Sequence, residues 1–212
     1  MTNCCIDEDL VLDARLALYH RAARWLAIAD LHFGYEISQR ANGWLIPVWG
    51  MQHIEKRLNS LIADYQPTRV ILVGDIVHSN IARTEAEQFI EGLSKLGPEL
   101  VLIRGNHDRG LRGVPLLDEF RLEGYHFRHG HQTDEQEAGS IVVEGHVHPT
   151  WRFSDGSGTR LRAPALVQMS TRLILPAFSP WAAGVRPELD GDYRLWVCAG
   201  SRVFSVEGAR RR

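Results

Sequence analysis

The sequence predicts an α/β fold in which buried strands alternate with helices and a second sheet backs the first, and three observations lead there. Four short runs rich in apolar residues, Trp25 to Asp30, Val70 to Asp75, Leu100 to Asn106 and Ile141 to His146, each end at once in polar residues. Continuous apolar character of that length marks strands buried on both faces. Helical periodicity fills the gaps between the first three runs, and after His148 turn signals and short apolar runs take over.

The elements follow in order. From Leu10 to Leu18 the residues Leu10, Leu12, Ala14, Leu16 and Leu18 alternate with mostly polar ones, as in a half-buried strand interrupted near Asp13. Met51, Ile54, Leu58, Leu61, Ile62 and Tyr65 keep helical spacing and Pro67 follows as a stop, so Met51 to Tyr65 reads as a crossover helix. Thr84 and Glu87 have capping-box spacing ahead of Ala86, Phe89, Ile90, Leu93 and Leu96, and Gly97-Pro98 closes that second helix. Asp155-Gly156-Ser157-Gly158 reads as a loop, while Leu173 to Phe178, Tyr193 to Cys198 and Val203 to Val206 read as strands of a second sheet packed on the first.

A chain of 212 residues, 44% of them hydrophobic, supports one domain over 1–212 with a single core. The formal net charge of -2 gives no global basic field, so an anionic substrate must be attracted locally. Cys4, Cys5 and Cys198 are too sparse for a disulfide framework or a thiolate zinc site, and Asp7, Glu8 and Asp9 stand where a signal peptide needs basic residues. With no apolar stretch long enough to span a bilayer, the expectation is a cytoplasmic protein that does not enter membranes.

Each of the four buried runs delivers donor residues at its carboxyl end, where open α/β sheets place their sites: Asp30-Leu31-His32, Gly74-Asp75, Gly105-Asn106-His107-Asp108 and Gly145-His146-Val147-His148. Of ten histidines, His32, His78, His107, His129, His131, His146 and His148 fall in these motifs or beside Gly130, leaving only His20, His53 and His126 outside. Taken singly, an Asp or His after a strand is more often a turn former. Four such ends in one chain point instead to a metal centre.

Two cations held about 3.5 to 4 Å apart need one carboxylate between them and further N and O donors on each side. Asp75 is the natural bridge. One ion then takes Asp30, His32, Asp75 and His148, and the other Asp75, Asn106, His129 and His146. Carboxylate, imidazole and amide donors without thiolate suit Mn, Fe or Zn, with Mn taken first.

The blocks Asp30-Leu31-His32, Gly74-Asp75-Ile76-Val77-His78, Gly105-Asn106-His107-Asp108, His129-Gly130-His131 and Gly145-His146-Val147-His148 resemble, in order, the five blocks of the calcineurin-like metallophosphoesterases. Ala29-Asp30-Leu31-His32-Phe33-Gly34, Ile46-Pro47, His78-Ser79, His148-Pro149 and Leu175-Pro176-Ala177-Phe178 look like the SbcD-related branch, which includes the DNA-ligase-associated phosphoesterases (PdeM). His129-Gly130-His131 departs from the Glu-Pro pair expected after the His in many ligase-associated members, and the chain is too short for the capping domain and coiled-coil arms of the SbcD exonucleases. The resemblance implies a four-layer α/β/β/α sandwich of two mixed sheets flanked by helices. It also implies phosphodiester substrates such as DNA, a DNA-repair setting and a ligase or repair protein as partner.

Between two such ions a water loses its proton near neutral pH and is placed for in-line attack on phosphorus. His107 is the first candidate to stabilise the transition state and protonate the leaving oxygen, with adjacent Asp108 orienting its ring and raising its basicity, and the resemblance implies the same pair. His78 is second, and the resemblance implies a place for it near the scissile phosphate. His131, Arg104 and Arg109 are weaker candidates for substrate contact, each with a plain alternative as a solvated or ordinary hydrogen-bonded group, as is Arg112. Trp44, Trp49, Trp151 and Trp181 read as core edges sooner than as base-stacking residues. Two other function classes stay open: a phosphoesterase for nucleotides or cyclic nucleotides, and a metal-bound scaffold without catalysis.

Overall fold

The computed structural model describes residues 2–130, 139–187 and 191–207. The first sheet takes strands in sequence order: β1 (Asn3–Cys5), β2 (Leu10–Asp13), β3 (Ala17–His20), β4 (Trp25–Ala29), β5 (Arg69–Val73) and β6 (Glu99–Ile103). β1 to β4 run antiparallel, and β4, β5 and β6 run parallel. The parallel trio is joined through α1 (Tyr35–Ala41), α2 (Gly50–Tyr65) and α3 (Arg83–Ser94), because a parallel pair needs a crossover longer than a turn. The alternating segment around Asp13 is a hairpin rather than one strand. There the Asp13 carboxylate accepts from the Arg15 amide, and Leu16 turns the chain at φ 71°.

The second sheet collects β7 (Glu119–Leu122), β8 (Tyr125–Arg128), β9 (Ile141–Glu144), β10 (Thr150–Ser154), β11 (Arg160–Gln168), β12 (Arg172–Ile174), β13 (Arg194–Ala199) and β14 (Arg202–Glu207). Its order is β14-β13-β11-β12-β9-β8-β7, with β10 paired to β11. β9 is thus separated from the three buried runs it resembles. It lies parallel between β8 and β12. Two mixed sheets with helices at their flank make the α/β architecture that the sequence predicts.

The main core fills the space between the sheets and beneath the helices. β4 is buried along its whole length, and Trp25 on it meets Tyr125 and Phe127 of β8 edge-on at 5.2 and 5.1 Å. Such edge contacts add about 0.5–1.5 kcal/mol beyond area burial, so this cluster helps clamp sheet to sheet. Ile54, Leu58 and Leu61 of α2 and Ala86, Phe89, Ile90 and Leu93 of α3 turn their apolar stripe into the same core. The capping box at Thr84 and Glu87 is not used. α3 starts one residue before Thr84, continuing a 3-10 turn over Asn80–Ala82 whose own cap is Ser79, accepting from the Ile81 amide. No helix among the described residues is long and apolar enough to cross a membrane.

β9 ends on a charged residue that the sequence pattern did not flag. Glu144 is buried, is bonded by Arg172 from β12, and stands 3.5 Å from Arg128 Nε of β8. One carboxylate therefore ties three neighbouring strands directly beneath Gly145 and His146. Glu144→Ala takes a buried carboxylate from Arg172, whose side chain is about a third exposed, and from Arg128, so its expected cost is about 1–3 kcal/mol. Urea denaturation checks this, and a loss under about 1 kcal/mol would mean that the pair is solvated.

Candidate functional site

The carboxyl ends of β4, β5, β6 and β9 converge at one end of the two sheets, and the donor residues sit just past them. Asp30 and His32 follow β4, Asp75 follows β5, Asn106 and His107 follow β6, His129 follows β8, and His146 and His148 follow β9. Backbone hydrogen bonds lock these turns to each other: the Asp30 and His32 amides donate to the Gly74 and Asp75 carbonyls at 3.1 and 2.9 Å, and the Ser179 amide donates to the Asp30 carbonyl at 3.1 Å.

Nine non-glycine residues among those described adopt left-handed backbone, and five of them are Asp30, His32, Asp75, His146 and His148, with φ between 44° and 71°. Each such residue costs about 1–3 kcal/mol, and strain concentrated on so few positions marks a site held for chemistry rather than for stability. The glycines before the donors serve closeness. A Cβ on Gly105 would lie 2.1 Å from the Asp75 amide nitrogen, and one on Gly145 would lie 2.8 Å from both Asp30 Oδ2 and the Ala29 methyl.

The donors fall into two adjoining groups. Asp30, His32 and His148 form the first, with His32 Nε2 3.3 Å from His148 Nε2 and His148 Nε2 3.5 Å from Asp30 Oδ1. Asp75, His129 and His146 form the second, with His129 Nε2 3.3 Å from Asp75 Oδ1 and 3.2 Å from Asn106 Oδ1. Two donors each about 2.1 Å from a shared cation stand roughly 3.0 to 3.4 Å apart, so these spacings suit an ion in each group. Asp75 faces both: its Oδ1 borders His129 and its Oδ2 lies 3.9 Å from His32 Nε2.

The electrostatics agree with cation binding. Burial pushes His32 down to about 3 against the pull of Asp75, so its ring is neutral and its lone pair is free for a cation. Burial works to raise Asp75, but the hydrogen bond and charge of His129 outweigh it and hold the carboxyl well below its usual range. His129 is correspondingly raised by Asp75 despite burial.

His107 and His78 stand beside the first group. Their rings stack at 5.4 Å, His107 lies edge-on to His32 at 4.9 Å, and the three histidines can each place a nitrogen within 4.8 Å of the others. Asp108 does not orient the His107 ring, and that expectation is corrected. Its Oδ1 accepts from the Val77 amide at 3.0 Å and its Oδ2 from the Gly105 amide at 2.8 Å, which pins the turn after β5 to the turn after β6. Burial pushes this carboxyl up to about 6. The group that orients His107 is a backbone carbonyl: Nδ1 lies 2.7 Å from the His78 oxygen.

The Arg104 side chain bonds Asp118 at 3.0 Å and the Leu116 carbonyl. Arg109 is exposed on the 3-10 turn Asp108–Gly110. His131 lies outside the described residues. An aromatic file leads away from His78, and two of its members, Trp49 and Trp181, read from the sequence as core edges. Tyr35 lies edge-on to it at 4.7 Å, Trp181 stacks on Tyr35 at 5.6 Å, and Trp49 meets Trp181 at 4.9 Å. Buried Glu36 fixes that file, accepting from the Trp181 indole at 3.1 Å and from the Met51 amide at the start of α2 at 2.8 Å.

Carboxylate and imidazole donors gathered on strained turns between two sheets define a metal-dependent phosphoesterase, and the calcineurin-like phosphoesterase model matches residues 23–158. The chain belongs to that family. It is similar to the crystal structure of nuclease MPE from Pseudomonas putida, with 29% identity, a TM-score of 0.74, and coverage of 93% of this chain and 94% of that one. A second solved structure, the phosphoesterase YfcE from E. coli, is 15% identical with a TM-score of 0.48 over 86% of this chain and 97% of that one. No curated protein matches the chain.

Proposed function

We propose that the protein is a dinuclear phosphodiesterase that cleaves nucleic-acid strands, with Mn as its first-choice metal. One ion would be held by Asp30, His32, Asp75 and His148, and the other by Asp75, Asn106, His129 and His146. Ions held there would supply a bound water of lowered pKa and charge for the phosphate oxygens. The chain's own groups do the rest. His107 Nε2 lies beside Asp75 Oδ2 at 4.0 Å, and in the imidazolium form the ring gives its Nε2 proton to the leaving oxygen while Nδ1–H stays bonded to the His78 carbonyl, which holds the ring in that pose.

The position of His78 carries the diester reading. Its ring is half-buried, stacks on His107 and lies 5.5 Å from His32, so it lines the His107 side of the site, where the second ester arm of a diester would find room. The aromatic file of Tyr35, Trp181 and Trp49 starts at the same ring and offers flat faces to a base. Similarity to nuclease MPE supports the same substrate class.

The test is hydrolysis of bis-p-nitrophenyl phosphate beside p-nitrophenyl phosphate, using stripped protein refilled with Mn. His78→Ala is expected to lose at least tenfold on the diester and under threefold on the monoester. Equal losses on both, or absence of diester hydrolysis in the parent protein, would sink the reading.

A further inference from the structure

β10 and β11 extend past the second sheet as a two-stranded ribbon. Ala165 to Gln168 of β11 pair with β13, and Val167 and Gln168 also with β12, whereas Arg160 to Pro164 pair only with β10. The direction of the overhang follows from the register. β12 is parallel to β9 and β11 is antiparallel to β12, so the free end of β11 projects beyond the end of the sheet where Glu144 leads into His146 and His148. The root of the ribbon, Thr150, is two residues from His148.

The two faces differ in character. Side chains alternate along a strand and directly opposed residues share a face. Trp151, Phe153, Leu161 and Ala163 form one face, with Trp151 stacked on Phe153 and edge-on to Phe204 of β14 at 5.7 Å each. Arg152 opposed to Arg162, and Ser154 opposed to Arg160, form the other. Leu166 lies on the same side of β11 as Arg160 and Arg162 and belongs to the main core between the sheets. The arginine face therefore continues the inner, site-bearing side of the sheet.

Like charges directly across a ladder are destabilising. All three arginines are exposed, and no acidic side chain pairs with them among the described residues. The one carboxylate at the tip, Asp155, is occupied in its own turn, accepting from the Ser157 and Thr159 amides at 2.8 and 2.9 Å. A chain with a net charge of -2 thus keeps three uncompensated guanidinium groups together on one short arm. Arg152 stands four residues beyond His148, roughly 13 Å along an extended strand, which is a few nucleotides from a phosphate at the metal centre.

We infer that the arginine face of this ribbon is a docking arm for the sugar-phosphate backbone of the strand being cut, holding phosphates that flank the scissile one. This rests on the phosphodiesterase reading above and adds where the rest of the strand is held. Guanidinium forks on phosphate oxygens give affinity without reading sequence, so the arm sets length preference rather than base preference.

The test uses the full chain with Arg152, Arg160 and Arg162 replaced together by Ala, and separately by Lys. Binding of a 5′-fluorescein 20-mer deoxyoligonucleotide is followed by anisotropy in EDTA across a salt series, and hydrolysis of bis-p-nitrophenyl phosphate is followed with Mn. Three lost phosphate contacts lower the log-log salt slope by about 2. Oligonucleotide affinity at low salt is expected to fall at least tenfold in the Ala variant and under threefold in the Lys variant, with hydrolysis of the small diester unchanged in both. Oligonucleotide binding equal to that of the parent would overturn the arm, as would a parent that binds no oligonucleotide while hydrolysing the small diester. In that last case an acidic protein partner becomes the better occupant. Failure of the phosphodiesterase reading shows separately, as absence of small-diester hydrolysis in the parent. A matching loss of the small diester in the Ala variant would mean damage to the site and would also count against the arm.

Discussion

Asp75→Asn is expected to cut phosphodiester hydrolysis by at least about a thousandfold, roughly 4 kcal/mol of transition-state stabilisation, and to reduce bound divalent metal from two ions per chain to one or none. The expectation follows from where the two oxygens sit. Oδ1 accepts from the His107 amide at 2.9 Å and lies beside His129, while Oδ2 faces His32 at 3.9 Å and His107 Nε2 at 4.0 Å. It is the carboxylate that borders both donor groups. An Asn side chain of the same shape keeps the amide contact through its carbonyl, so the turn after β5 retains its fold. It also turns one donor atom into an N–H that repels a cation and removes the negative charge that the two proposed ions would share. Metal content by mass spectrometry and hydrolysis by the same protein check both halves. Two ions bound with parental affinity, or more than a tenth of parental activity, would remove Asp75 from the bridging position.

Four of the donor blocks were legible in the sequence because four buried runs in one chain each end in Asp, Asn or His, although any one such end alone is more often a turn. What held them together was not. The turns place Asp30, His32, Asp75, His146 and His148 in left-handed backbone, and no local propensity announces that, because tertiary hydrogen bonds between neighbouring turns impose it. The strands gave a similar split. Trp25 to Asp30, Val70 to Asp75 and Leu100 to Asn106 are strands of one sheet as their patterns suggest, yet Ile141 to His146, alike in composition, joins the other sheet. Composition reports burial on two faces and not which partner supplies them. β7 and β8 escaped notice because Glu119–Leu122 and Tyr125–Arg128 mix charged and aromatic residues. Their turn, Glu123-Gly124, has φ 48° and 82°, the two-residue hairpin geometry that a lone Gly in the sequence only hints at. Asp108 misled for a simpler reason. Adjacency in sequence suggested a partner for the next ring, while the chain turns sharply there and points its carboxylate at two backbone amides.

His107→Ala is expected to slow cleavage of a diester with a poor leaving group, such as an alkyl or deoxyribose oxygen, by about 10²- to 10⁴-fold while leaving both metals bound. A carbonyl can only accept, so the 2.7 Å contact to the His78 oxygen fixes the proton of His107 on Nδ1 and leaves Nε2 to face the site. That ring is about a third exposed and stacks on His78, so it is open to a substrate on one side and held on the other. In its imidazolium form the ring carries a second proton on Nε2, and passing that proton to the departing oxygen leaves a neutral ring whose Nδ1–H still bonds the His78 carbonyl. The loss should therefore shrink as the leaving group becomes a better anion, and p-nitrophenolate, which departs without a proton, should suffer least. Rates for bis-p-nitrophenyl phosphate and for an oligonucleotide, compared between parent and His107→Ala at matched metal content, measure that dependence. A loss equal on both substrates would move His107 from proton donor to holder of the phosphate, and loss of a metal ion would place it among the ligands beside His32.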